Sequence, residues 1–440
     1  MNKNSTTVVA GLLVAVLLAG AGVSARQGAT AIKAADGDVL GTTQEVLKKV
    51  SQLRELEPKG PVKSGLKTKD EIEQAVIKDL DESTTPAEFE GTQKTMVRFG
   101  LIPRDFLLRE YIVRLLREQV AGFYEPKTRE FYLAAWVPLT EQKTVMAHEL
   151  MHALQDQHFN LRRFEDWPKG DSDAELAIHA LVEGEATIVM YQYAFDQQGV
   201  RLDVTKIGSL TERMLADGGA EDSSKYPVLA AAPAVLRESL QFPYVYGAGF
   251  VQQVLKSGSW PTLNSAYNRL PSSTEQIIHP EKFINRDEAI KIDMSELSGT
   301  LGGAWKRVDA DVNGEFGYQL ILREFVDKST ANKAASGWGG DRYLLYENKN
   351  NQNLLVQYTT WDSLHDAREF FEAYSARIEK RYKVSRPPES SQTRLYATNE
   401  GLVSISLRER DVVIVEGALD RAQLAKLENR LWSSKKSPRT

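Results

Sequence analysis

Thr144-Val-Met-Ala-His148-Glu149-Leu-Met-His152-Ala-Leu-Gln-Asp-Gln157 is the stretch that decides how this chain is read. Its composition suits a helix, with Val145, Leu150, Met151 and Leu154 as packing residues. In a helix, residues four apart lie one turn apart on nearly the same face, separated by roughly 6 Å of rise. The imidazoles of His148 and His152 can then close on one metal ion at about 2.0–2.1 Å. Glu149 is turned by about 100° from His148 and reaches a water on that ion without ligating it. The competing explanation is two core or surface histidines that coincide in register. Four of the 6 His fall between positions 148 and 179, so the search for further ligands starts there.

Zinc with a catalytic water takes three protein ligands and leaves the fourth position open. Glu183 is the first candidate for the third. It lies in Ala180-Leu-Val-Glu-Gly-Glu-Ala186, in a helix expected from about 173 to 196 with Asp173 as its cap. His158 is the second. Read as HExxHxxGxxH, the metzincin pattern, the chain matches at 148, 149, 152 and 158, but Gln155 occupies the glycine position. Ala153 to Gln157 favours continuing the helix, which rotates His158 roughly 240° away from His152. His179 is the third, one turn before Glu183, as a ligand, a supporting donor or a packing residue.

These runs resemble the gluzincin peptidases, in which a second helix downstream of HExxH donates a Glu. Val182-Glu-Gly-Glu-Ala186 is similar to the Asn-Glu-Gly-x-Ala run of the aminopeptidase branch, which implies Glu183 as the ligand. His148 to Asp156 is similar to the thermolysin branch, which implies Asp156 as the partner fixing the tautomer of His152. The acid often found four residues past the ligand Glu is replaced by Thr187, so a different residue must orient His148. Glu185 points to another face and reads as a supporting or solvated acid.

A second unusual run is Pro271-Ser-Ser-Thr-Glu-Gln-Ile-Ile-His-Pro-Glu-Lys-Phe283. Together with HELMHALQDQHF, VEGEA, AGFYEPKTREFYL, Tyr246-Gly-Ala-Gly-Phe-Val251 and GWGGDR, it resembles a largely uncharacterised family of exported bacterial proteins with an HExxH core. The resemblance covers roughly 97–285 well and the C-terminal part loosely. It implies a zinc-dependent peptidase acting on peptides or proteins, and no particular substrate. His279 is then a candidate for the hydrogen bond to the developing oxyanion; the alternative is a structural histidine locked by Pro280. Tyr246 and Tyr191 are weaker candidates. His365 reads as structural.

Working outward, 440 residues suggest two or three domains at about 100–200 residues each. Hydrophobic residues at 42% and charged residues at 26% are the balance of a globular chain. A net charge of −5 argues against a nucleic-acid partner. Zero Cys excludes a disulfide scaffold, Cys-based zinc fingers, iron–sulfur clusters and a thiol nucleophile. Residues 1–25 read as a secretory signal: Lys3, the apolar run Val8 to Val23, then Val23-Ser24-Ala25 before Arg26. That run is shorter than the ~20 residues of a spanning helix. An uncleaved N-terminal anchor is the alternative, and both place the rest of the chain in the periplasm or outside the cell. No other segment is long and apolar enough to span a membrane.

Residues 26–68 are expected to be a flexible leader or pro-segment, with a helix over 44–56 ended by Pro58. Residues 69–296 are expected to form a mostly helical zincin-like metallopeptidase domain with a small β-hairpin over 120–133, which either caps a sheet or binds an extended peptide by strand addition. Asp105 is expected to cap the helix before it. Residues 297–440 are expected to form a smaller α+β domain of antiparallel hairpins, giving an α+β protein as a whole. Trp338-Gly-Gly-Asp-Arg342 reads as a tight glycine turn, not a phosphate loop. The competing functional reading is a non-catalytic exported binding protein that keeps a zinc site.

Overall fold

The computed structural model describes residues 36–119, 122–136, 139–165, 170–218, 226–294, 297–388 and 392–439. The expected signal and the first part of the leader lie outside them. Helix α1 spans Asp36–Arg54, and the chain leaves it through Glu55 at φ 59° before Pro58. Strand β1 (Lys63–Lys67) follows, then α2 (Lys69–Ser83) and α3 (Pro86–Phe99). Thr68 and Thr85 start these two helices with capping boxes closed by Glu71 and Glu88. Helix α4 (Leu108–Gln119) begins three residues later than Asp105, which therefore does not cap it.

The aromatic hairpin forms as β2 (Gly122–Glu125) against β3 (Glu130–Ala134). β1 adds in parallel to the other side of β3, so the sheet order is β1-β3-β2. Nothing in the short run Lys63-Ser-Gly-Leu-Lys67 announced a strand. Helix α5 (Leu139–Phe159) carries HExxH, followed by α6 (Arg162–Glu165) and α7 (Ser172–Asp196). The cap of α7 is Asp171, whose side chain accepts from Ala174 N–H; Asp173, expected in that role, lies inside the first turn and pairs with Arg439. Then come α8 (Leu210–Gly218), α9 (Pro227–Ala230), α10 (Ala234–Ser257), α11 (Trp260–Ala266), α12 (Thr274–Ile278) and α13 (Pro280–Asn285).

The crossing of α7 and α10 explains two of the glycine-containing runs. A Cβ on Gly184 would sit 2.1 Å from the carbonyl carbon of Gly247, and one on Gly247 would sit 2.1 Å from the Ala180 carbonyl oxygen. Only glycines allow the two backbones to come this close. On the other side, α1 and α5 share a core: Val46 and Val50 pack with Met146, Leu150 and Leu154 and with Phe131 and Leu133 of the hairpin.

Strand β4 (Ile290–Asp293) and helix α14 (Leu297–Leu301) lead to a six-stranded antiparallel sheet of order β5-β6-β7-β10-β9-β8. Its strands are β5 (Trp305–Asp311), β6 (Trp338–Asn348), β7 (Asn353–Trp361), β8 (Thr393–Thr398), β9 (Gly401–Arg408) and β10 (Asp411–Ala418). Helices α15 (Gly314–Arg323), α16 (Lys328–Ala335) and α17 (Leu364–Tyr382) lie on one face and α18 (Arg421–Leu431) on the other. The run Val412-Val-Ile-Val415 divides between these faces. Val412 and Ile414 join the core of Phe370 and Tyr374, while Val413 and Val415 join that of Leu424 and Leu427. That is the two-residue alternation of a strand covered on both sides.

Trp338 to Arg342 is the start of β6, not a tight turn. The bulge between Trp338 and Gly340 takes up the irregularity, and the Ile290 carbonyl oxygen would lie 2.1 Å from a Cβ at Gly340. Strand β11 (Lys435–Pro438) returns to pair with β4, and Arg439 beyond it ion-pairs with Asp171 and Asp173 at the start of α7. The whole is an α+β protein. Among the described residues no helix is long and apolar enough to cross a membrane.

Candidate metal centre

α5 brings His148 and His152 to one face, with ring centroids 4.7 Å apart and planes at 86°. α7, packed across α5, brings Glu183 to the same point. His148 Nε2 lies 3.0 Å from Glu183 Oε2, His152 Nε2 lies 3.4 Å from the same oxygen, and the two Nε2 atoms are 3.1 Å apart. For a tetrahedral ion with bonds of about 2.0–2.1 Å, ligand atoms are separated by roughly 3.3 Å. The three edges match that triangle. Among the described residues this is the group of His, Asp and Glu side chains able to hold a metal ion.

The protonation pattern fits a cation as well as the distances do. Gln155 Nε2 donates to the Val182 carbonyl at 2.9 Å, and a carbonyl can only accept, so the orientation of the amide is set by its neighbours. Gln155 Oε1 then accepts from His152 Nδ1 at 2.7 Å. The Nδ1 proton leaves the Nε2 lone pair of a neutral ring facing the centre. Burial works against ionising Glu183, but the His152 and His148 rings outweigh it and hold the carboxyl well below its usual range. Burial likewise disfavours a charge on His152, and Glu183 overrides it, lifting that ring to about 9. A proton and a divalent cation would compete for this one nitrogen.

Glu149 stands beside this group without joining it. Its Oε2 accepts from the Tyr124 backbone N–H of β2 at 2.8 Å, while Oε1 is buried with no hydrogen-bond partner. Burial pushes its carboxyl up, against the lowering effect of the two rings. β2 is an edge strand, but its Tyr124 N–H is already committed to Glu149, which restricts an added peptide strand to the remaining groups.

Several expected partners sit elsewhere. Asp156 is not the hydrogen-bond partner of His152; it accepts from the Tyr124 hydroxyl at 3.0 Å and from Leu161 N–H at 3.0 Å, so it anchors the hairpin and the end of α5. Gln155 takes its place on His152. α5 runs on to Phe159, and His158 is carried away from the centre, with Nε2 2.8 Å from the Glu57 carbonyl. His179 is held at about 4, mainly by burial, and lies outside the ligand triangle. Glu185 is fully buried and bonded to Arg54, Gln155 and Tyr267. His279 has its Nε2 3.1 Å from Glu315 and its Nδ1 3.8 Å from Glu281, partners outside the triangle. Tyr246 stacks on Phe242, and Tyr191 packs half-buried against the core. His365 is exposed and pairs with Glu369.

His148 keeps its Nδ1 buried without a hydrogen-bond partner, and the ring lies face-on to Tyr244, centroids 6.0 Å apart at 29°. Packing against a tyrosine stands where an acid was sought. Sequence reading missed Tyr244; its one clue was its place beside the glycine run that brings α10 against α7.

Residues 301–428 match a family described as "Domain of unknown function (DUF8575)". The matched stretch holds the six-stranded sheet and excludes His148, His152 and Glu183. No curated protein matches the chain. No solved structure matches it either.

Proposed function

We propose that this chain is an exported, zinc-dependent peptidase of the zincin type, with His148, His152 and Glu183 as ligands and Glu149 as general base. The observation that supports it most is the pairing of a converging ligand triangle with a partnerless carboxylate oxygen next to it. A structural zinc site needs the first and has no use for the second. A zinc ion held there would supply Lewis-acid polarisation of a water molecule. Glu149 Oε1 takes the proton of the attacking water and hands it to the leaving amine nitrogen. The Tyr124 N–H on Oε2 keeps the carboxylate aimed through both transfers. Gln155 holds the proton of His152 on Nδ1 and away from the centre. His279, engaged with Glu315, has no part in this account. Export rests on residues 1–25 read as a signal.

A second reading has its own support. His148 is 3% exposed, Glu149 0%, His152 1% and Glu183 3%, so a peptide reaches them only after α5, α7 or their neighbours move apart. That burial favours an exported binding protein with a sequestered zinc. One experiment separates the two: metal quantification and a peptide-library digest of the wild type and Glu149→Gln. The peptidase reading expects about one zinc per chain in both proteins and a loss of hydrolysis in the variant by roughly 10²–10⁴-fold. Unchanged hydrolysis in Glu149→Gln defeats it. Zinc without turnover in the wild type selects the second reading, and absence of metal removes both.

A further inference from the structure

We propose that Arg54, the last residue of α1, is a positioning residue for the metal ligand His152, acting through Glu185 and Gln155. The inference rests on the metal-binding part of the proposed function and not on peptide cleavage. The Arg54 guanidinium donates from Nε to Glu185 Oε1. Glu185 Oε2 accepts from Gln155 Nε2 at 2.8 Å and from the Tyr267 hydroxyl. Gln155 Oε1 accepts from His152 Nδ1 at 2.7 Å. Arg54, Glu185, Gln155 and Tyr267 are all fully buried, so no solvent substitutes for a lost link. Arg54 is itself held by Asn264 and by the Trp260 ring, 4.4 Å from the guanidinium carbon.

The relay works through the orientation of one amide. With Arg54 fixing Glu185, both protons of Gln155 Nε2 have acceptors in Glu185 Oε2 and the Val182 carbonyl, with the Tyr267 hydroxyl also 2.9 Å away. The amide oxygen is thereby turned to His152. Without the guanidinium, the Glu185 side chain loses the contact that fixes it opposite Gln155 and Tyr267. The Tyr267 hydroxyl, 2.9 Å from the amide nitrogen and no longer committed to Glu185, then competes as a donor for the amide oxygen, and the amide is released to rotate. The rotated amide presents NH₂ to His152 Nδ1, which must accept with its lone pair. The single proton of the neutral ring then sits on Nε2, the atom that faces His148 and Glu183. Residues 36–54 are on this account an integral part of the metal site and not a removable pro-segment.

The test uses the full chain with Co(II) as probe, reading affinity by titration and ligand geometry by visible absorption. Arg54→Met is expected to weaken Co(II) binding roughly 10–100-fold and to alter the spectrum, with partial recovery in Arg54→Lys. Gln155→Leu is expected to do the same. The double variant Arg54→Met/Gln155→Leu is expected to bind no more weakly than Gln155→Leu alone, since the relay is already cut. Because Arg54→Met strands a buried charge, Arg54→Met/Glu185→Leu replaces the pair with apolar groups; it is expected to fold by circular dichroism and still to lose Co(II) affinity. Wild-type affinity and spectrum in that folded variant, or additive losses in the cycle, overturn the proposal. A wild type that binds Co(II) but cleaves no peptide removes the peptidase and leaves the relay standing. One that takes no Co(II) removes both.

Discussion

Two fully buried charge clusters can be set side by side. In the C-terminal sheet, Glu416 of β10 meets Arg377 of α17, with the guanidinium Nη1 2.8 Å from Oε1. Tyr374 donates to the same oxygen at 2.6 Å and Tyr382 to Oε2 at 2.6 Å. Arg377 Nη2 reaches the Phe99 carbonyl of α3 at 2.9 Å, which ties the sheet to the first part of the chain. Donors there face acceptors, and the carboxylate is answered from within the protein. In the candidate metal centre two ring nitrogens and a carboxylate oxygen converge at 3.0–3.4 Å, and a second carboxylate stands beside them. Ring nitrogens and carboxylates there crowd one point, and Glu149 Oε1 has no hydrogen-bond partner. A cluster of the first kind fastens elements together, and one of the second kind is what the proposed zinc would complete.

The sharpest way to break this comparison is to remove a ligand. Glu183→Ala is expected to abolish stoichiometric zinc binding, measured by metal analysis of the purified chain, whereas Glu416→Gln is expected to leave zinc content unchanged. Retained zinc in Glu183→Ala would mean that the triangle is not the site. Next in size, Arg377→Met leaves Glu416 buried without its cation and is expected to cost about 3–5 kcal/mol in urea unfolding. A loss under 1 kcal/mol would place that pair among ordinary surface bridges.

Acid separates the clusters further. Burial raises the Glu416 carboxyl, but Arg377 and Arg98 outweigh it and bring it from 4.5 to about 2. A group depressed on folding stabilises fully above its unfolded pKa, and the stabilisation fades as pH falls through the folded one. Wild-type stability should therefore decline between about pH 4.5 and 2, and the slope should flatten in Glu416→Gln. An identical slope in both proteins removes Glu416 from the acid transition. The smallest expected effect is that of Tyr124→Phe, which deletes the hydroxyl bond to Asp156 and leaves the backbone bond to Glu149. About 1 kcal/mol of stability should be lost with zinc content intact, read by thermal unfolding.

Much of the architecture was legible beforehand because it is written in local periodicity. Helix-compatible composition announced α5, the run from Asp173 announced α7, the aromatic runs announced the β2–β3 hairpin, and antiparallel hairpins were expected in the C-terminal part, where the six-stranded sheet lies. The glycine bulge at the head of β6 reads as a turn in sequence, since glycine marks both and only the Ile290 backbone across the strand distinguishes them. β1 was missed because a five-residue strand of Lys, Ser and Gly owes its existence to the partner it joins.

His148, Glu149 and His152 were determined by the sequence alone, because helix geometry acts over four residues and needs nothing else. That Glu183 completes a triangle with them, while His158 and His179 do not, was decided by the packing of α7 on α5. That Gln155 and not Asp156 holds His152, that Tyr244 lies against His148, and that Arg54 stands behind Glu185 were decided there too. Those contacts join residues far apart in the chain, and their geometry exists only once the helices have docked.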